Sequence, residues 1–183
     1  MNKPLFLFVG RSASGKTSVA DMLEKDGYSQ IASYTTRAPR YDGEIGHTFV
    51  TDEEYDKLND IVASTLYNGY RYCTTLEQVQ KADLYVVDIP GVQTLMDNYH
   101  RLNRDVHVLY FDASVYNRIN RMIDRHDSDM QIISRLLNDE KEDWHEQLCR
   151  LNEEYPSFIL TIVDANVDLN QVYDNIKLYI KNN

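Results

Sequence analysis

Residues Gly10 to Thr17 read Gly-Arg-Ser-Ala-Ser-Gly-Lys-Thr, a complete match to the pattern G-x-x-x-x-G-K-[ST]. Each fixed residue type has a physical task. Gly10 and Gly15 let the backbone wrap closely around phosphate oxygens with its N–H groups turned inward, and Arg11, Ser12, Ala13 and Ser14 complete that loop. Lys16 places a point positive charge on β- and γ-phosphates, and the Thr17 hydroxyl suits Mg²⁺. The chemistry these residues fit is the binding of a nucleoside triphosphate.

Three further constellations carry charge in a suggestive order. In Ser33-Tyr34-Thr35-Thr36-Arg37-Ala38-Pro39-Arg40, two arginines three apart sit in a loop stiffened by proline. Their guanidinium forks can converge on one anion, since arginine binds phosphate bidentately and never loses its charge. Arg121, Arg125 and Arg135 flank the polar segment His126-Asp127-Ser128-Asp129, as a lid closing on a transferred phosphate would require. Residue types alone leave open a salt-bridged helix with Asp124 and Asp127 there, and a solvated loop at Arg37 and Arg40. The third is Asp88 in Val86-Val87-Asp88-Ile89-Pro90-Gly91, a carboxylate at the end of a buried strand, where phosphate-loop proteins meet Mg²⁺ or a substrate group. It also spells D-x-x-G, as in GTPases, but the chain lacks the N-K-x-D that such a reading requires.

Behind these residues must stand elements that aim them. Leu5-Phe6-Leu7-Phe8-Val9 is a continuous apolar run, as a buried parallel strand should be, and Val19, Ala20, Met22 and Leu23 repeat at helical spacing up to Gly27. Strand, loop and helix therefore stand in the order a phosphate loop needs. Further strands are expected at Ser29–Ala32, Leu84–Asp88, Val106–Phe111 and Phe158–Val163. Helices are expected near Thr17–Lys25, Val92–Tyr99, Ser114–Asp124, Met130–Asn152 and Leu169–Lys181. The alternation predicts an α/β fold, a phosphate-loop parallel sheet flanked by helices. From Tyr34 to Thr75 it is interrupted by a short helix and two strand-like runs joined at Asn68-Gly69, a strong hairpin signal. Thr51-Asp52-Glu53-Glu54 and Thr75-Leu76-Glu77-Gln78 both fit a capping box.

Composition narrows the classes. At 183 residues one domain is expected, and 43% hydrophobic with 26% charged residues is ordinary for a soluble globular protein. The formal charge of −10 argues against a general nucleic-acid binder, so the arginine clusters must supply positive charge locally. Two cysteines, Cys73 and Cys149, are too few for a disulfide framework, which favours a cytoplasmic setting. No secretory leader and no membrane span are expected.

With these residues assembled, the chain resembles the guanylate kinases nearly end to end. That resemblance implies one domain with a core (1–32, 84–120 and 153–183), a β-rich monophosphate-binding insertion (about 33–83) and a helical lid (about 121–152). It implies transfer of the ATP γ-phosphoryl group to GMP or dGMP with Mg²⁺, by a monomer or homodimer. Ser33 through Arg40 match the family's S-x-T-T-R-x-x-R without a gap, so Arg37 and Arg40 would hold the acceptor phosphate and Ser33 would contact guanine. Gly69-Tyr70-Arg71-Tyr72-Cys73-Thr74 aligns with G-N-x-Y-G-[ST], giving Tyr72 to the acceptor phosphate and Thr74 to the base. Asp88 stands at the aspartate of I-D-x-Q-G, among the acceptor-binding residues. Arg121, Arg125 and Arg135 fall near the lid arginines that, with Lys16, act on the transferred group. Asn166 in Asn166-Val167-Asp168-Leu169 stands where the family places an asparagine beside adenine.

The departures concern the acceptor. The glutamate expected to pair with the guanine edge is Ala63, His47 stands nearest the tyrosine of Y-x-F, and Pro90 replaces the glutamine of I-D-x-Q-G. Thr65 lies on the same strand face as Ala63, but a hydroxyl is a poorer partner for two N–H donors. A kinase of the same frame acting on another nucleotide or a sugar phosphate therefore stays open. A GTPase or a non-catalytic module of this family stays open too, although the first lacks its N-K-x-D here and such modules typically lose the phosphate loop.

Overall fold

Strand β1 (Leu5–Val9) is central to a parallel sheet and shows how the sequence builds the core. Side chains alternate across a strand. Leu5, Leu7 and Val9 enter one hydrophobic cluster, and Phe6 and Phe8 enter the other. Both faces are covered by helices, which is why the run is apolar without interruption. The computed structural model describes residues 3–141 and 143–183.

Among the described residues this sheet has four strands, in the order β6 (Leu84–Val86), β1, β7 (Val106–Asp112) and β8 (Phe158–Asp164), all parallel. Helices α1 (Lys16–Lys25) and α9 (Leu169–Asn182) pack on the Phe6–Phe8 face through Val19, Leu23, Val172 and Ile176. On the other face lie α4 (Ile89–Asp97) and α8 (Trp144–Glu154), contributing Val92, Leu95, Met96, Leu148 and Leu151. Each fully buried leucine or phenylalanine here stabilises the fold by about 1.5–3 kcal/mol. The α/β class with a phosphate-loop sheet flanked by helices is thus the observed one.

A second sheet holds β3 (His47–Phe49), β2 (Ser33–Thr35), β5 (Tyr70–Thr75) and β4 (Ile61–Tyr67), in that order. β2 and β3 run parallel with Ser33 opposite His47, whereas β2–β5 and β5–β4 are antiparallel. At the hairpin tip Asn68 (φ 50°) and Gly69 (φ 80°) are both left-handed, the combination a two-residue turn of matching twist requires. Thr51 heads α2 (Asp52–Tyr55) and Thr75 heads α3 (Leu76–Lys81), each with its capping box complete. The sheet is tied to the core where the Ser64 amide donates to Thr94 Oγ1 (2.9 Å) and the Thr94 hydroxyl donates back to the Ser64 carbonyl (3.1 Å).

Three expectations are corrected. Ser29–Ala32 forms no strand, only a bridge from Gln30 to Leu84, because the Ser29 amide and hydroxyl turn to the Asp83 carboxylate (2.9 and 2.8 Å). Leu84–Asp88 ends as a strand at Val86. Asp88 caps α4 instead, its Oδ1 accepting from the Gly91 amide at 2.9 Å, so the helix begins at Ile89 rather than Val92, and the short α5 (Tyr99–Leu102) follows. Met130–Asn152 is two helices, α7 (Asp129–Asp139) and α8. Asp143 starts the second by accepting from the His145 and Glu146 amides, and residue 142 of the expected helix lies outside the described residues. α6 (Val115–Asp124) precedes α7. No helix among the described residues is long and apolar enough to cross a membrane.

Candidate functional site

The phosphate loop leaves the end of β1 and enters α1. A Cβ on Gly10 would lie 2.8 Å from the Phe111 carbonyl and 2.9 Å from Ser14 Oγ, so a side chain has no room there. Ala13 (φ 60°) and Gly15 (φ 101°) take left-handed backbone, which curls the loop back on itself. Lys16, the first residue of α1, turns its ammonium into the loop, donating to the Gly10 carbonyl (2.5 Å), the Arg11 carbonyl (3.0 Å) and Ser14 Oγ (3.3 Å). Loss of surrounding water lowers its pKa to about 8; the nearby Asp139 carboxylate opposes this and Arg118 adds to it. Thr17 is exposed at the head of the helix. Its hydroxyl is a hard oxygen donor of the kind Mg²⁺ takes.

The three arginines of the expected lid do not meet at one point. Arg121, on α6, reaches under the loop and donates to the carbonyls of Ala13 (3.3 Å), Ser14 (3.1 Å) and Ala165 (2.6 Å). Arg125 and Arg135 both turn to Asp127: Arg125 Nε donates at 2.8 Å, and Arg135 Nε lies 3.7 Å away. Arg135 also lines a cavity of about 300 Å³ together with Arg40, Tyr67, Ser134 and Asn138, and no carboxylate is among its lining residues. This is how a protein of net charge −10 gathers positive charge: two arginines from different elements face one space.

Three residues before Arg40, Arg37 is 9% exposed and its guanidinium lies over the Phe49 ring, 5.3 Å from the centroid. Its NH2 and NH1 donate to the two oxygens of Glu44 at 2.8 and 3.1 Å. Glu44 also accepts from the Arg40 amide at 2.6 Å, and its carboxyl is held down to about 2, chiefly by Arg37. Ser33 Oγ lies 3.0 Å from His47 Nδ1, and the His47 ring meets Tyr72 edge-on at 5.6 Å. Burial, reinforced by Arg37, lowers the His47 pKa. β5 puts Tyr72 opposite both Thr35 and Thr65.

The residues expected on the base side are held by other parts of the protein. The fully buried Thr74 donates to Gln78 Oε1 at 2.8 Å, and Gln78 Nε2 donates to the Ala32 carbonyl at 2.7 Å. Thr65 donates to Asp88 Oδ2 at 2.9 Å, and burial raises the Asp88 pKa. Ala63 is 1% exposed and belongs to the core. Asn166 joins two strand ends to α6. Its Oδ1 accepts from the Ser114 amide (2.7 Å), and its Nδ2 donates to Asp164 (3.0 Å) and the Asp112 carbonyl (3.3 Å).

Sequence reasoning passed over Glu44, Arg118 and Asp139. Arg118 is completely buried and pairs with Asp139 at 3.0 Å and with Glu140, while Asp139 accepts from the Ser12 amide at 2.7 Å. A signal was present, because Arg118 lies four residues before Met122 on the inward stripe of α6. Glu44 follows Arg40 by four residues, in a turn opened by Gly43.

No family model and no curated protein matches the chain. Among solved structures it is similar to a guanylate kinase from Anaplasma phagocytophilum, with TM-score 0.59 and 18% identity over 98% of this chain and 85% of that one. It is also similar to an unliganded sugar kinase from a Janibacter species, with TM-score 0.51 and 14% identity over 98% and 95%. The likeness shows a kinase-like phosphate-loop fold.

Proposed function

We propose that this chain is a nucleoside monophosphate kinase that passes the γ-phosphoryl group of ATP to GMP or dGMP. The observation that carries the reading is the cavity shared by Arg40 and Arg135. Asn138 lines it as well, and the next residue, Asp139, touches Ser12 of the phosphate loop. An acceptor-side arginine and a lid arginine thus face one space, lined by the helix whose last residue holds the donor loop.

Phosphoryl transfer asks a protein for positioning and charge stabilisation, with little covalent chemistry. The loop amides and Lys16 would hold the donor phosphates. Arg37, Arg40 and Tyr72 would hold the acceptor phosphate, whose attacking oxygen is already ionised and needs no general base. Arg135, with Arg125 beside it on Asp127, would face the transferred group, and Arg121 would keep the loop in shape through three carbonyls. Asn166 would stand at the adenine side. The Thr17 hydroxyl fits a Mg²⁺ carried on the triphosphate, which supplies charge neutralisation when bound.

A second reading, a kinase of the same fold acting on another nucleotide or a sugar phosphate, is supported by Ala63. Where a carboxylate would pair with guanine there is a buried methyl group, and the Asp88 carboxylate is engaged by Thr65 of the same strand as Ala63. Similarity to both a guanylate kinase and a sugar kinase is in keeping with either acceptor.

The test is a coupled MgATP phosphotransfer assay against a panel of nucleoside monophosphates and sugar phosphates, with Lys16→Ala as the blank. Turnover of GMP or dGMP well above the rest is the expected result. Activity confined to another acceptor would keep the mechanism and replace the substrate. No turnover of any acceptor would overturn the kinase reading.

A further inference from the structure

Asp139, the last residue of α7, is a carboxylate in an electrostatically poor place. A helix C-terminus carries partial negative charge and disfavours an anion. The side chain is nevertheless held there, 6% exposed, by partners from two other elements. Arg118 NH1 donates to Oδ2 at 3.0 Å. The Ser12 amide donates to the same oxygen at 2.7 Å, and the Ser12 hydroxyl donates to Oδ1 at 3.2 Å. Arg118 also pairs with Glu140, and Glu140 with Arg11 at 3.5 Å, so the end of α7 is bolted to the phosphate loop at two successive loop residues.

Amides of such a loop are anion donors by construction. In this structure one of them already serves an anion, and that anion belongs to the protein. Lys16, the loop's cation, is likewise turned onto the loop's own carbonyls. A triphosphate entering the loop brings several negative charges to the Asp139 carboxylate and competes with it for the Ser12 amide. Two like charges in a partly buried site repel more strongly than in water, so the two anions compete for the donor.

We propose that Asp139 is an anionic latch on the phosphate loop, exchanged for the incoming triphosphate at Ser12. The exchange removes one of the two ties between the end of α7 and the loop and leaves that of Glu140. That helix carries Arg135 one turn before Asp139, so donor binding and movement of the arginine-bearing helix become a single equilibrium. Arg118, whose Nε has no hydrogen-bond partner among the described residues, stays behind with Glu140 as the cation facing the loop. This inference rests on the reading of the loop as a triphosphate site.

Titration calorimetry of MgATP and of AMP tests it, on the natural chain, on Asp139→Asn, and on the double variant Arg118→Met with Asp139→Leu. The double variant removes the buried charge pair together and guards against a single variant that does not fold. The latch predicts that MgATP affinity rises about tenfold in Asp139→Asn, and by less in the double variant, which also lacks the Arg118 cation, while AMP, with no β- or γ-phosphate, is unchanged. Equal or weaker MgATP binding by the folded variants overturns the latch and leaves the triphosphate reading standing. MgATP binding by the variants alone supports the latch. Binding by none of the three proteins overturns both.

Discussion

Glu44 grips Arg37 through two parallel hydrogen bonds, of 2.8 and 3.1 Å, and accepts a third from the Arg40 amide at 2.6 Å. One carboxylate thereby sets the geometry of both arginines of the Arg37–Arg40 loop. It orients Arg37 over Phe49 and also pairs at 3.8 Å with NH1 of Arg40, whose side chain, 65% exposed, lines the cavity.

Loss of that carboxylate is expected to cost stability as well as binding. Glu44→Gln should destabilise the fold by about 1.5–3 kcal/mol, the range for hydrogen bonds to charged groups. The sign with pH follows from its depressed folded pKa, about 2 against an ordinary 4.5. Its contribution is complete above pH 4.5 and is lost as pH falls towards 2. Denaturant melts of the two proteins should therefore differ at pH 6 and converge only at about pH 2 and below. A constant difference would show that charge is not the cause.

Removing a group that stabilises developing charge typically costs 10²–10³ in rate, roughly 3–4 kcal/mol. Lys16→Ala and Arg135→Ala should each fall in that range in kcat/KM while melting at the same temperature as the natural chain. Losses below threefold in both would count heavily against the proposed mechanism.

Lys16 should take up protons when the loop fills. With its pKa lowered to about 8 by desolvation, about half of the ammonium groups are neutral at pH 8. Phosphate restores the charge, so MgATP affinity should decline as pH rises through 8. Calorimetric enthalpies at pH 8 should vary with the ionisation enthalpy of the buffer, in the direction of uptake. Release of protons, or none, would place the lysine's pKa elsewhere.

Gly10→Ala should impair both folding and binding, since the added methyl would meet the Phe111 carbonyl at 2.8 Å and Ser14 Oγ at 2.9 Å. Overpacking of this kind costs about 1–3 kcal/mol. Thermal melts and MgATP titration should show a lower midpoint and weakened binding together. An unchanged titration would mean that the loop yields without losing its shape.

Local features of the chain were legible because short-range physics decides them. The Asn68-Gly69 turn, the capping boxes at Thr51 and Thr75, and the strand–loop–helix around Gly10–Thr17 each depend on neighbours within a few residues. Competition between local and distant partners was not legible. The Ser29 donors turned to Asp83 instead of a strand partner, and Asp88 became a helix cap instead of the last residue of a strand. The Asp139–Ser12 contact joins residues 127 positions apart. No spacing rule reaches that far.

By itself the sequence determined the α/β alternation, the phosphate-binding loop and the order of the arginine-bearing segments, since apolar periodicity, glycine positions and residue chemistry are properties of the chain. Only the tertiary structure decided where those charges go. It sent Arg121 beneath the loop, gathered Arg125 and Arg135 on Asp127, and set Arg40 and Arg135 on one cavity. It also gave Glu44 to Arg37 and Asp139 to Ser12. The physical reason is that a long charged side chain is placed by whichever partner packing brings within about 3 Å, and packing is settled by the whole fold.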